Sequence, residues 1–117
     1  MLFDRGFAYL ATGKYAEAIK DFSQYITMNR IDEKGYFNRG HAYLTTGKYN
    51  EAINDFNNVI RFNANNANAY YYRGKAFLLK LDIEQAISQF SKAIEIESQY
   101  ADAYIDRGEY IIRKKQL

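Results

Sequence analysis

Four Arg-Gly pairs, Arg5-Gly6, Arg39-Gly40, Arg73-Gly74 and Arg107-Gly108, stand 34 residues apart each time. Ala18, Ala52 and Ala86 keep the same spacing, as do Phe22, Phe56 and Phe90. Residues 4–26 and 38–60 are identical at 15 of 23 positions without a gap. A fixed period of this length marks a repeat architecture. Each copy is a supersecondary unit that cannot bury its apolar face alone, so neighbouring copies must stack.

The periodicity inside a copy says what the unit is. Tyr36, Gly40, Tyr43 and Leu44 fall at i, i+4, i+7 and i+8, one face of a 3.6-residue period. Gly47 then ends a first helix. Tyr49, Ala52, Ile53, Phe56, Val59, Ile60 and Phe62 form the apolar stripe of a second. The first copy repeats this with Leu2, Gly6, Ala8 and Tyr9, then Tyr15, Ala18, Ile19, Phe22, Ile26 and Met28. The third does so with Tyr70, Gly74, Ala76 and Phe77, then Ile83, Ala86, Ile87, Phe90, Ala93, Ile94 and Ile96. A fourth first-helix, from Ala101 to about Lys115, carries Tyr104, Gly108 and Ile111, and no partner helix follows it. Two antiparallel helices joined by a short turn approach closely only where bulk is missing, which is the task assigned to Gly40 and Ala52. The absence of Pro suits a chain that is helical nearly throughout.

These blocks resemble the tetratricopeptide repeat family, whose unit is 34 residues of helix-turn-helix. The family pattern of aromatic, Gly, Tyr, turn Gly, aromatic, Ala and aromatic is matched by Tyr36, Gly40, Tyr43, Gly47, Tyr49, Ala52 and Phe56. The resemblance covers essentially all 117 residues. It implies an all-α solenoid, a right-handed superhelix of three repeats (about 1–32, 33–66 and 67–100) closed by a helix over 101–115, in a single domain. It also implies a non-catalytic protein-interaction module.

Three departures stand out. The family's Leu before the first Gly is Arg in all four copies. Its Pro between units is replaced by Arg30, Ala64 and Ser98. The turn Gly of the third copy is Leu81, where a left-handed backbone would cost about 1 kcal/mol or more, so that turn is expected to be rebuilt or shifted with Leu81 partly exposed. For the arginines the structural reading packs the aliphatic stem at the helix crossing and sends the guanidinium to a carboxylate, with Glu17, Glu51, Asp21 and Asp55 as candidates. Gln85 and Gln89 stand at the equivalent places of the third copy, so pairing weakens there. On this reading Arg39→Leu preserves or raises the melting temperature. The competing reading is an anion-binding stripe for an acidic or phosphorylated ligand.

Composition narrows the function classes. No Cys is present, which removes thiol catalysis, disulfides and Cys-based metal sites. His41 is the only His, so no His cluster can hold a metal, and the serines lie on or beside second helices, away from it. Thr-Gly-Lys at 12–14 and 46–48 lacks the upstream Gly of a phosphate loop and reads as a repeat turn. Asp32-Glu33 reads as a helix start, and Asn63, Asn65, Asn66 and Asn68 as capping residues. No catalytic site, metal or cofactor is expected. A formal charge of +2 is far from that of a nucleic-acid binder. No apolar run approaches a membrane span, and the N-terminus already carries the repeat, so no membrane contact and a cytoplasmic location are expected.

Binding is the activity left. In the resembled architecture the first helices line the inner, concave wall. Their faces away from the second helices hold Phe3, Asp4, Phe7 and Leu10, then Lys34, Phe37, Asn38, His41 and Thr45, then Asn68, Tyr71, Tyr72, Lys75 and Leu79, and finally Asp102, Ile105, Asp106 and Glu109. Large aromatics on such a wall favour binding because rigid rings give contact at low entropic cost. The candidate partner-binding residues are Phe37, Asn38, His41, Tyr71, Tyr72, Lys75, Ile105 and Glu109. Lys34, Lys75 and His41 against Asp106 and Glu109 imply a peptide or protein ligand of mixed charge polarity. One family subgroup clamps the C-terminal carboxylate of chaperone tails with Lys, Asn and Arg. Those places hold Phe3, Phe7, Asn38, Asn68 and Tyr72 here, and only Asn38 fits. One unit later they hold Phe37, His41, Tyr72, Asp102 and Asp106, a worse match. The resemblance thus argues against a chaperone-tail binder. Tyr110, Ile111, Ile112 and Leu117 in the last helix, and the helix edge at the N-terminus, leave open a homo-oligomer through the terminal helices, a self-assembling repeat unit, or a fragment of a larger multidomain protein.

Overall fold

The computed structural model describes the backbone of residues 1–116 and the side chains of residues 1–108. Its elements are seven α-helices: α1 (Leu2–Ala11), α2 (Tyr15–Met28), α3 (Glu33–Thr45), α4 (Tyr49–Phe62), α5 (Ala67–Leu79), α6 (Ile83–Ile96) and α7 (Ala101–Gln116). They fall into two compact units, residues 1–64 and 65–117.

In the first unit α1 packs on α2, α2 on α3 and α3 on α4. The crossing of each pair is built as the small residues require, although the partner of the glycine is an aromatic ring. A Cβ added at Gly6 would lie 2.9 Å from Phe22 Cε1, and one at Gly40 would lie 3.0 Å from Phe56 Cε1. Phe22, Phe56, Ala18 and Ala52 have no solvent exposure. Burying a Phe contributes about 1.5–3 kcal/mol, so these two rings anchor the unit, and only a residue without a side chain lets the opposite helix close over them. Asp32 caps α3 by accepting from Lys34 N at 3.0 Å, and its other oxygen takes the Tyr25 hydroxyl at 2.5 Å. Met28, read from the sequence as part of the apolar stripe, is instead exposed. It is the last residue of α2, and where its equivalent Phe62 packs on the Tyr36 ring at 5.7 Å, the residue equivalent to Tyr36 is Leu2.

In the second unit α5 packs on α6 and α6 on α7. A Cβ at Gly74 would meet Phe90 Cε1 at 2.8 Å, and Phe90, Ala86 and Ala93 are fully buried. Asn66 caps α5 by accepting from Ala69 N at 3.1 Å, and Asp82 caps α6 by accepting from Gln85 N at 3.2 Å.

The turn at Leu81 corrects the sequence reading. It is neither rebuilt nor shifted. Leu81 has φ 70°, beside 79° at Gly13 and 82° at Gly47. The same two backbone bonds close all three turns: Lys14 N donates to Tyr9 O at 2.8 Å, Lys48 N to Tyr43 O at 2.9 Å and Asp82 N to Phe77 O at 2.9 Å. The residue before each donates to Leu10 O, Leu44 O and Leu78 O. That pair is the Schellman motif, which satisfies carbonyls the helix would otherwise leave unpaired. Holding two such bonds outweighs one strained residue, so the chain keeps the turn and turns the Leu81 side chain, 84% exposed, out to solvent.

Candidate functional site

The repeated arginines resolve first. In the first unit Arg5 donates from Nε and Nη2 to the two oxygens of Asp21 at 2.7 and 2.9 Å, and Arg39 does the same to Asp55 at 2.9 and 2.7 Å. Of the four candidate carboxylates, Asp21 and Asp55 are the partners; Glu17 and Glu51, one helical turn earlier, are exposed. Arg39 also donates from Nη1 to Ser23 Oγ of the preceding second helix at 3.2 Å. In the second unit Arg73 meets the Gln89 amide oxygen at 3.0 and 2.5 Å, a neutral acceptor in place of the carboxylate. Both aspartates are buried. The Arg5 hydrogen bonds hold the Asp21 carboxyl below its ordinary range. Burial pushes the Asp55 carboxyl up, although Arg39 pulls against it. The arginine ladder is therefore built into the helix crossings.

The candidate binding residues of the first unit lie on α3. Phe37 is half-buried, its ring edge-on to Phe56 at 5.8 Å. Asn38 spends its amide on its own helix, Nδ2 donating to Lys34 O at 2.8 Å. His41 is half-buried, and desolvation holds its imidazole below the usual histidine value.

In the second unit the structure corrects the assignment of Tyr71 to a wall the core leaves unused. Tyr71 is 7% exposed. Its ring packs on Phe90 at 5.5 Å, stacks on Tyr100 at 5.1 Å and meets Tyr72 edge-on at 5.1 Å. Its hydroxyl donates to Asp106 Oδ2 at 2.7 Å, and burial together with that carboxylate pushes its pKa well up. The physical reason lies in the register. Phe3, Phe37 and Tyr71 occupy one repeat position, and each turns its ring onto the buried Phe of its own second helix. Lys75 Nζ pairs with Asp106 Oδ2 at 3.4 Å and sits 5.7 Å from the Tyr71 ring centre. Lys75 and Asp106 thus form an ion pair in which the Lys75 side chain stays 37% exposed. Tyr72 is half-exposed, and Ile105 is 65% exposed on α7. Glu109 lies outside the residues whose side chains are described, as do Tyr110, Ile111, Ile112 and Leu117.

Sequence reasoning missed Tyr100, which holds the place taken by the capping residues Asp32 and Asn66. It stacks on Tyr71, donates its hydroxyl to Asn68 Oδ1 at 2.5 Å, and has its pKa pushed up to about 12 by burial and by the charges around it. The loss of a capping residue in that register was the available signal. Also missed was a column of small buried residues, Gly35, Ala69 and Ala103, which keeps the 34-residue spacing. Two open depressions lie in this unit. One of about 430 Å³ is lined by residues including Tyr70, Arg73 and Gln89, the other of about 390 Å³ by residues including Asn68, Tyr100 and Asp102. Among the described residues no group of three or more His, Asp or Glu is placed to hold a metal ion, and no helix is long and apolar enough to cross a membrane.

Comparison with known proteins now bears on the fold. Residues 1–32 match a family model described as "Tetratricopeptide repeat" and residues 40–80 one described as "TPR repeat". The chain belongs to the tetratricopeptide repeat family. Among solved structures, the first such domain of Spaghetti (RPAP3) bound to the HSP90 peptide SRMEEVD superposes with a TM-score of 0.93 at 24% identity, covering 97% of this chain and 90% of that one. The second domain of human RPAP3 in complex with the HSP70 peptide SGPTIEEVD gives 0.87 at 26%, covering 92% and 89%. The Yersinia enterocolitica type III secretion chaperone SycD in complex with a peptide of the translocator YopD gives 0.92 at 18%, covering 97% and 92%. No match is found among curated protein sequences. The fold is thus the all-α solenoid of tetratricopeptide repeats. Their signature positions, Gly40, Ala52 and Phe56 with their equivalents, are the buried crossings described above.

Proposed function

We propose that this tetratricopeptide repeat protein is a non-catalytic interaction module that binds a peptide or partner segment through the exposed faces of its first helices. The observation that carries the reading is the placement of bulky side chains where stability needs only polar ones. Phe7 on α1 is exposed, and His41 on α3 and Tyr72 on α5 are half-exposed, while the crossings are closed by other residues. Rings held by packed neighbours, as Tyr72 is by Tyr71, give contact area at little cost in rotamer freedom. Similar domains solved with bound peptides support the same use of the fold. The chaperone-tail clamp is not supported by these residues: the Asn38 amide is bonded to its own helix, and Asn68 accepts from Tyr100.

The test is a comparative pull-down with the intact chain and a His41→Ala/Tyr72→Ala variant. Phe37 and Tyr71 are less suitable, because each packs on a buried Phe. The variant should keep its helicity and lose captured proteins that the intact chain retains. An identical captured set from a folded variant would remove the first helices as the site.

A further inference from the structure

The third rung of the arginine ladder differs from the two before it in one chemical respect. Asp21 and Asp55 set a buried carboxylate in the fork of Arg5 and Arg39, each aspartate side chain being 3% exposed. At the same place on α6 stands Gln89, whose amide oxygen accepts from Nε and Nη2 of Arg73 at 3.0 and 2.5 Å. The geometry of the fork is kept, and the charge that balanced it is replaced by a neutral amide. The Arg73 guanidinium is held in position 5.2 Å from the centre of the Tyr70 ring, and burial lowers its pKa from the ordinary arginine value. Desolvating a cation against a neutral acceptor leaves an electrostatic cost that an arriving anion removes.

The depression of about 430 Å³ described above is lined by this Arg73–Gln89 pair together with Ser88, Ser91, Lys92 and Glu95 of α6. Positions 88, 91, 92 and 95 follow the spacing of one helix face, so two hydroxyls and an ammonium stand beside the guanidinium. Lys92 Nζ meets Glu95 Oε1 at 3.4 Å, with the two side chains 44% and 71% exposed. A surface pair of this kind is worth little and leaves the ammonium able to turn to a second anion. Ser91 Oγ accepts from Arg107 Nη1 at 3.5 Å, which leaves its O–H as a donor. The opening belongs to the repeat itself. Lys20, Gln24 and Thr27, at the places of Ser88, Lys92 and Glu95, stay exposed on α2, where α3 and α4 follow. What is particular to α6 is the neutral rung beside that face. A carboxylate would engage the guanidinium alone, whereas a tetrahedral oxyanion offers oxygens to guanidinium, ammonium and hydroxyl at once. We propose that this depression on the α5–α6 pair is a binding site for a phosphate group. Arg73 and Lys92 hold the charge, Ser88 and Ser91 donate to its oxygens, and the Gln89 amide yields its place on the Arg73 fork.

The test is a titration of the isotope-labelled 117-residue chain with sodium phosphate at constant ionic strength, read by nuclear magnetic resonance of the amide and arginine Nε–H signals. Saturable shifts should be confined to Arg73 and residues 88–92. Gln89→Asp, which rebuilds the Arg39–Asp55 pair at this rung, should weaken phosphate binding about tenfold or more with the melting temperature held or raised. Lys92→Gln should weaken binding several-fold, and Glu95→Gln, which removes the competing carboxylate, should strengthen it. The His41→Ala/Tyr72→Ala variant should bind phosphate as the intact chain does, which keeps this site separable from the first-helix faces above. A glycine–phosphoserine–glycine tripeptide run beside inorganic phosphate identifies the source. Tighter binding of the peptide assigns the site to a phosphorylated segment, and equal binding assigns it to the free anion. Absence of saturable shifts, shifts that sodium acetate reproduces at equal concentration, or undiminished phosphate binding by Gln89→Asp would overturn the proposal.

Discussion

Replacing Leu81 with Gly should stabilise the protein, and the gain can be worked from the turn. Leu81 holds φ 70° to keep the two bonds that close the α5–α6 connection. A side chain in that conformation costs about 1–2 kcal/mol relative to glycine. Glycine gives back about 0.4–1 kcal/mol through its greater freedom in the unfolded chain. Nothing is lost in packing, because the Leu81 side chain is 84% exposed. The net gain is about 0.5–1 kcal/mol. With an unfolding entropy of about 2.1 cal/mol/K per residue over 117 residues, a gain of 1 kcal/mol raises the midpoint by about 4 °C, so Leu81→Gly should melt about 2–4 °C higher by circular dichroism. Leu81→Ala is the control. It removes the exposed side chain and keeps the Cβ that causes the strain, so it should stay within about 0.5 kcal/mol of the parent. Gly13→Ala tests the same cost in reverse, since an added Cβ there meets nothing within 4 Å; it should cost about 1 kcal/mol by strain alone. If Leu81→Gly melted at or below the parent, or if Leu81→Ala gained as much, the left-handed strain would not be the governing term.

Three further outcomes follow from the packing. Arg39→Leu, which the sequence reading expected to be harmless, strands the Asp55 carboxylate at 3% side-chain exposure and should cost about 3–5 kcal/mol; Arg73→Leu removes a bond to a neutral amide, that of Gln89, and should cost less in the same urea titration. Gly40→Ala places a methyl 3.0 Å from Phe56 and should cost about 1–3 kcal/mol by overpacking, whereas Gly108→Ala, whose added Cβ meets no described residue within 4 Å, should gain up to about 1 kcal/mol from helix propensity. On acidification, Asp21 and Asp32 contribute stability that is present above the unfolded carboxylate value of about 4 and is lost as pH falls through their depressed folded values. Asp55 has the opposite sign, its raised carboxyl favouring the fold more as it protonates. Melting curves from pH 7 to pH 2 should therefore show an acid limb that Arg5→Gln and Tyr25→Phe flatten.

The 34-residue period determined the repeat, the two-helix unit and the small residues at the crossings, because those follow from local spacing; that each glycine faces a phenylalanine ring 16 residues later came from the structure. The Arg–Asp pairs were half legible: the sequence offered four acids, and because Glu17 and Asp21, like Glu51 and Asp55, stand one helical turn apart, only the structure shows that the aspartates take the arginines. Leu81 defeated local propensity because two backbone hydrogen bonds outweigh one unfavourable φ. Tyr71 and Lys75 needed the tertiary structure outright. Their partners Tyr100 and Asp106 lie about thirty residues away on the approach to and within α7, and no pattern within a repeat says whether a ring on a first helix faces solvent or a neighbour.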